Sequence, residues 1–121
     1  MKSDSKLVYD YENDVLFVAK NKRLYEDSFE LENMVFDLDA DKKIVGLEIL
    51  NASKVLGVDK VFLKNVLAGE MKINVNKQSL KLQISLKSKV RNSKRSAVYK
   101  SDNFKPDFLK PLEANFAVAI N

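Results

Sequence analysis

The stretch DLDADKKIVGLE, residues 37–48, has two readings, and the choice between them decides the fold. Aspartates at its first, third and fifth positions, Ile44 at the eighth and Glu48 at the twelfth reproduce most of an EF-hand calcium loop. That loop needs glycine at position six for its sharp turn, and Lys42 stands there. It also needs a helix on each side. Met34, Phe36 and Leu38 instead alternate before the turn, and Val45, Leu47 and Ile49 alternate after it, which is the period of a strand. Asp39-Ala-Asp-Lys-Lys43 between them is a turn-forming cluster. The stretch reads as a β-hairpin, and no metal is expected.

Working outward, residues 7–11 and 15–19 are β-branched and aromatic runs around Glu12-Asn-Asp14, a first hairpin. After the second hairpin comes a helical passage. Asn51 or Ser53 can cap a short turn that Gly57 stops, and Asp59 can cap a helix through Leu67, with Gly69 as its breaker. Val58 and Leu63 have the spacing of a hydrophobic staple, and Phe62, Leu63, Val66 and Leu67 form one apolar stripe. The period then returns to two. Met71, Ile73 and Val75 share one face, as do Leu80, Leu82, Ile84, Leu86 and Val90 on the next strand. A strand is expected near residues 96–100, a loop over residues 101–112 anchored by Phe104 and Phe108, and a terminal strand marked by Phe116, Val118 and Ile120.

The expected fold is mainly β (α+β): antiparallel hairpins in a sheet or sandwich, with one central helical segment near residues 52–68. One domain over residues 1–121 is expected, with residues 1–6 a frayed tail, 7–56 a hairpin–hairpin–helix core, and 57–121 a helix plus further strands. A chain of 121 residues, 45% apolar and 31% charged, can bury one real core without staples. It has no cysteine, no apolar run of signal-peptide length and no stretch near the roughly 18 residues of a membrane span. These features point to a soluble, cytoplasmic protein without a membrane partner.

Tyr9-Asp10 followed by Asp14-Val-Leu-Phe-Val18, and Phe36-Asp-Leu-Asp39 followed by Ile44 to Lys54, resemble the two signature blocks of the small family called domain of unknown function 2283. The match is to its longer, archaeal-type members and covers roughly residues 7–56. Two departures stand out: Lys42 replaces the turn glycine, and Phe17 replaces a tyrosine. The resemblance implies the hairpin–hairpin–helix order and says little of activity. Members beside small toxin-like genes would point to an antitoxin-like, partner-binding role. Its signature positions here are Tyr9, Asp10, Asp14, Asp37, Asp39, Gly46, Glu48 and Ser53, and all are expected to be structural: Asp10 and Asp14 in turn chemistry, Gly46 at a bulge or close approach, Glu48 beside a lysine of the next strand.

With no histidine and no cysteine, the commonest general base and the thiol nucleophile are missing. No catalytic residue, cofactor or small-molecule ligand is expected; a hydrolase using paired carboxylates is the third reading. Residues 1–63 carry 9 basic and 13 acidic side chains, and residues 64–110 carry 12 and 3. Such halves can match across a homodimer, the leading expectation, or within a complex with a small protein partner. The alternative is nucleic acid, met by a basic patch of Lys81, Lys87, Lys89, Arg91, Lys94 and Arg95, with Tyr99, Phe104 and Phe108 as stacking faces.

Overall fold

The structure, a computed structural model, describes residues 3–22 and 25–119, so the expectation for Ile120 lies outside the described residues. Five strands come first: β1 (Ser5–Asp10), β2 (Val15–Lys20), β3 (Asp27–Leu31), β4 (Met34–Leu38) and β5 (Ile44–Ile49). Two helices of five residues follow, α1 (Ala52–Leu56) and α2 (Lys60–Lys64). The chain ends in β6 (Val66–Val75), β7 (Ser79–Val90), β8 (Ser93–Phe104) and β9 (Leu112–Ala119). All pairings are antiparallel, in one sheet ordered β1-β2-β5-β4-β3 and a second ordered β8-β7-β6-β9. The second is a Greek key: three hairpin-connected strands, then a fourth that returns beside the first.

The two sheets bury their alternating faces against each other in one core. Leu16, Val18, Phe36, Leu47 and Ile49 come from the first sheet, and Met71, Ile73, Leu82, Ile84 and Phe116 from the second. The disputed stretch is β4, a turn and β5. The Asp39 Oδ1 accepts from the backbone N–H of Asp41 and of Lys43, both at 2.9 Å, so the turn itself occupies this carboxylate. Lys42 takes φ 63°, the left-handed conformation that glycine adopts at least cost.

The expectations differ from the structure where tertiary pairing overrides local pattern. The alternation groups Val45 with Leu47 and Ile49, but the register shifts as Asp37 meets Gly46 and Leu38 meets Ile44. This bulge turns Ile44 inward, 3% exposed, and Val45 outward. The expected helix from Asp59 to Leu67 stops at Lys64, because Val66 already pairs with Ser88. Its cap is as expected: Asp59 Oδ1 accepts from the Phe62 N–H at 2.7 Å. Gly69 is no helix breaker. It lies inside β6, where a Cβ would stand 2.7 Å from Leu86 Cδ2 and 3.1 Å from the Ser85 carbonyl oxygen. Strand β3 had no clear alternation and was not expected. Strand β8 is twelve residues long, well beyond residues 96–100, which shortens the expected loop. That loop is anchored by Leu109, 1% exposed, whereas Phe104 is 90% exposed and Phe108, itself exposed, makes a T-shaped contact with Phe29 with the ring centroids 5.5 Å apart.

Within the expected tail of residues 1–6, Asp4 is held in place and Ser5 and Lys6 already belong to β1. Asp4 donates its N–H to Ala117 O at 3.1 Å and accepts from the Ala117 N–H at 2.9 Å, so it covers the outer edge of β9. Lys20 pairs with Asp4 at 2.9 Å, donates to Asn115 O and sits 5.0 Å from the Phe116 ring centroid. Burial alone would raise the Asp4 carboxyl, but donors from Ser5, Ala117 and Lys20 outweigh it and hold it at about 2.

Two substitutions check this account by denaturant unfolding. Gly69→Ala forces the β6–β7 contact apart and is expected to cost about 1–3 kcal/mol. Lys42→Gly relieves a left-handed residue and is expected to add about 0.5–1 kcal/mol, because its 3.5 Å contact with Asp27 is exposed.

Candidate functional site

Four of the signature residues, Tyr9, Asp10, Asp14 and Ser53, converge on one place, where the β1–β2 turn meets the start of α1. Asp14 leaves the turn at φ 56°, which aims its carboxylate at the helix. There Oδ1 accepts from the Ser53 N–H at 3.0 Å and from the Tyr9 hydroxyl at 2.7 Å, while Oδ2 accepts from the Ser53 hydroxyl at 2.6 Å. The Asp14 carbonyl also accepts from the Ala52 N–H at 2.9 Å. Asn51 precedes the helix at φ 52° with no side-chain cap, so neither candidate cap of its own segment serves. The cap comes from Asp14, 39 residues earlier in the chain.

Electrostatics follow from these contacts. Burial pushes the Asp14 carboxyl up, but hydrogen bonds from Ser53 and Tyr9 outweigh it and leave the carboxyl below its usual range. Burial and the adjacent Asp14 push the Tyr9 phenol upward, so it remains a donor at neutral pH. A carboxylate held ionised by three donors is a weak base, and Ser53 gains no nucleophilicity from it. Asp10 serves the same turn, accepting from the Asn13 N–H at 3.0 Å and side-chain amide at 2.8 Å. These bonds, first its side-chain bond with Asn13, lower its pKa. Beside this cluster, Lys60 and Lys64 lie 4.5 and 5.3 Å from the Tyr11 ring centroid and so dock α2 on the hairpin.

The other signature residues do not join it. Glu48 lies on β5 between Phe17 and Val35, not beside a lysine. Gly46 faces Ala19 and Asp37 next to the Val45 bulge. Asp37 is 9% exposed on β4, and Asp39 is confined to its turn. Among the described residues, no three acidic side chains gather closely enough to hold a metal ion.

The basic patch divides. Lys81, Lys87 and Lys89 share the outer face of β7, but Arg91 leaves the row to form, with Asn92, a two-residue turn at φ 50° and 64°. Lys94 stands directly opposite Lys89, and Arg95 opposite Ser88. Five cations thus crowd the β7–β8 tip, while Lys81 lies six residues back, about 20 Å along the strand. Around Lys81, a depression of about 430 Å³ is lined by Lys72, Asn74, Gln83, Lys100 and Asp102. Tyr99 faces inward and packs on the core, so it is no stacking face, and Phe104 stands at the far end of β8 from the tip.

A second feature had no clear sequence signal. The outer edge of β8 receives no hydrogen bond among the described residues. Val98, at its middle, is 61% exposed. The long alternation of β7 could have hinted at an equally long partner, but openness of the edge depends on strand order.

Fold and cluster together define a small antiparallel β-sandwich with a hairpin-capped helix. Residues 6–53 match the family described as "Protein of unknown function (DUF2283)", and this chain belongs to that family. An uncharacterized protein of Methanocaldococcus jannaschii is 40% identical over 82 residues, 67% of this chain and 71% of that one. A Methanosarcina mazei protein, provisionally named a hypoxanthine phosphoribosyltransferase, is 31% identical over 88 residues, 73% of this chain and 72% of that one. No solved structure matches. Among the described residues, no helix is long and apolar enough to cross a membrane.

The family match ends at Ser53, the residue that closes the Asp14 cluster. Asp14→Ala is expected to cost about 2–3 kcal/mol at neutral pH, because it removes charge-assisted bonds and the helix cap. The folded carboxyl binds its proton more weakly than the unfolded one. Its stabilisation is therefore complete above the unfolded pKa of about 4 and disappears as pH falls through the lower folded value. Urea unfolding across pH 2–6 is expected to show a shallower acid loss in Asp14→Asn than in the parent chain.

Proposed function

We propose that this chain is a cytoplasmic binding protein without catalytic activity, and that it works as a homodimer joined through the open edge of β8. The observation carrying the reading is that edge: the outer side of a twelve-residue strand takes no hydrogen bond among the described residues, whereas the β9 edge is covered by the chain's own N-terminal segment. Long exposed edges invite pairing with another strand, and natural proteins blunt them unless they are used. A two-fold axis through Val98 sets this exposed side chain against its own copy. It also sets Lys94 opposite Asp102 twice, whereas an axis through Lys100 would oppose two lysines.

The name of the Methanosarcina mazei relative would make the chain a transferase of phosphorylated sugars. That chemistry favours a glycine-rich loop leading into a helix N-terminus. Here Gly46 and Gly69 lie in strands, and Gly57 ends a five-residue helix. The binding reading accounts for more of the structure.

Because the chain has no cysteine, Val98→Cys supplies a single thiol. Light scattering is expected to give a dimer mass that persists at high salt, and mild oxidation to join Val98→Cys protomers efficiently, since directly opposed strand residues lie within disulfide reach. Val98→Asp is expected to shift the mass to monomer. A parent chain monomeric at high concentration would end the reading.

A further inference from the structure

The geometry points to a second binding surface, independent of the β8 edge: we infer that the tip of the β7–β8 hairpin holds the phosphate backbone of a nucleic acid. Residues 71–101 contain no acidic side chain, and their cations include Lys87, Lys89, Arg91, Lys94 and Arg95 at the tip. All five are exposed, and none has an ion pair or a side-chain hydrogen bond among the described residues. Other lysines of the chain do have partners: Lys20 pairs with Asp4, and Lys60 lies over Tyr11.

Two features of the tip oppose folding. Lys89 and Lys94 are direct cross-strand neighbours, an arrangement that repels. Arg91 holds φ 50° in a turn where asparagine or glycine is favoured. A polyanion relieves the first and makes use of the second, since the turn presents Arg91 at the apex of the hairpin. In the proposed dimer Lys94 faces Asp102 of the second copy, and Lys87, Lys89, Arg91 and Arg95 still lack acidic partners. A membrane surface fits less well, because residues 87–96 offer no large apolar side chain to insert; Val90 is half-buried on the inner face.

The test is fluorescence anisotropy of a labelled mixed-sequence single-stranded oligonucleotide at 50 and 200 mM salt. The parent chain is expected to bind at low salt and weaken steeply at high salt. The triple variant Lys89→Ser, Arg91→Ser, Arg95→Ser is expected to lose at least tenfold in affinity, with its log–log salt slope smaller by about 2, three contacts at about 0.7 each. It spares Lys94, so the dimer mass is expected to be unchanged. Lys6→Ser, Lys43→Ser, Lys54→Ser removes equal charge from the other part of the molecule and is expected to bind as the parent does. Arg91→Asn is expected to raise the melting temperature while weakening binding, which a purely structural role would not produce. Absence of low-salt binding by the parent, or equal losses in both triple variants, would overturn the inference. Capture by vesicles rich in anionic lipid with no oligonucleotide binding would also overturn it, assigning the tip to membranes.

Discussion

The carboxylate of Asp14 is the constraint on which the first half of the molecule depends. It joins the turn of the first hairpin to the first turn of α1 through Ser53 and takes a third bond from Tyr9. Helix α1 has five residues and no cap of its own, too short to persist alone. Its position fixes where the chain leaves β5 and therefore where α2 and β6 begin. The helix-to-sheet connection depends on one side chain from a distant strand pair, which explains why the two signature blocks of the family belong together in space.

The second constraint is the interlock of the sheets. Ser88, 1% exposed inside β7, donates its hydroxyl to Phe62 O at 2.8 Å and so fastens α2 over the core. Close packing of β6 on β7 requires Gly69, because the space for a Cβ is filled by Leu86 and the Ser85 carbonyl. Asp4 and Lys20 close the opposite corner by covering β9. With that corner covered, β8 remains the long edge whose backbone faces outward. Its far neighbour, the hairpin tip, collects the unpartnered cations. The acidic first half and basic second half of the chain thus become two largely separate sheets, each with its own electrostatic character.

Much of this was legible in order along the chain. β-Branched and aromatic runs identified β1 and β2, period-two alternation identified β4, β5, β6 and β7, and lysine at the sixth position of the acidic loop excluded an EF-hand in favour of a hairpin. Asp59 was recognisable as a cap because its acceptor and donor lie three residues apart. The candidate site was legible only as a set of letters. Asp14 and Ser53 could be named as signature residues, yet nothing local says that one caps the other's helix. Strand β3 escaped because DSFEL has little alternation, and its pairing with β4 decides its conformation.

By itself, then, the sequence determined the fold class, the β1–β2, β4–β5 and β6–β7 hairpins, the family and the absence of histidine and cysteine chemistry, since these depend on residue types and on spacings within one turn or one strand. Only the tertiary structure decided what depends on pairing between distant segments. The bulge at Val45 reverses an expected inward side chain, Val66 leaves the helix because Ser88 offers it a ladder, and Arg91 leaves the basic row because the hairpin turns there. The open edge of β8 belongs with these. A strand's own residues state that it is a strand, whereas strand order and the path of the rest of the chain determine whether an edge is covered.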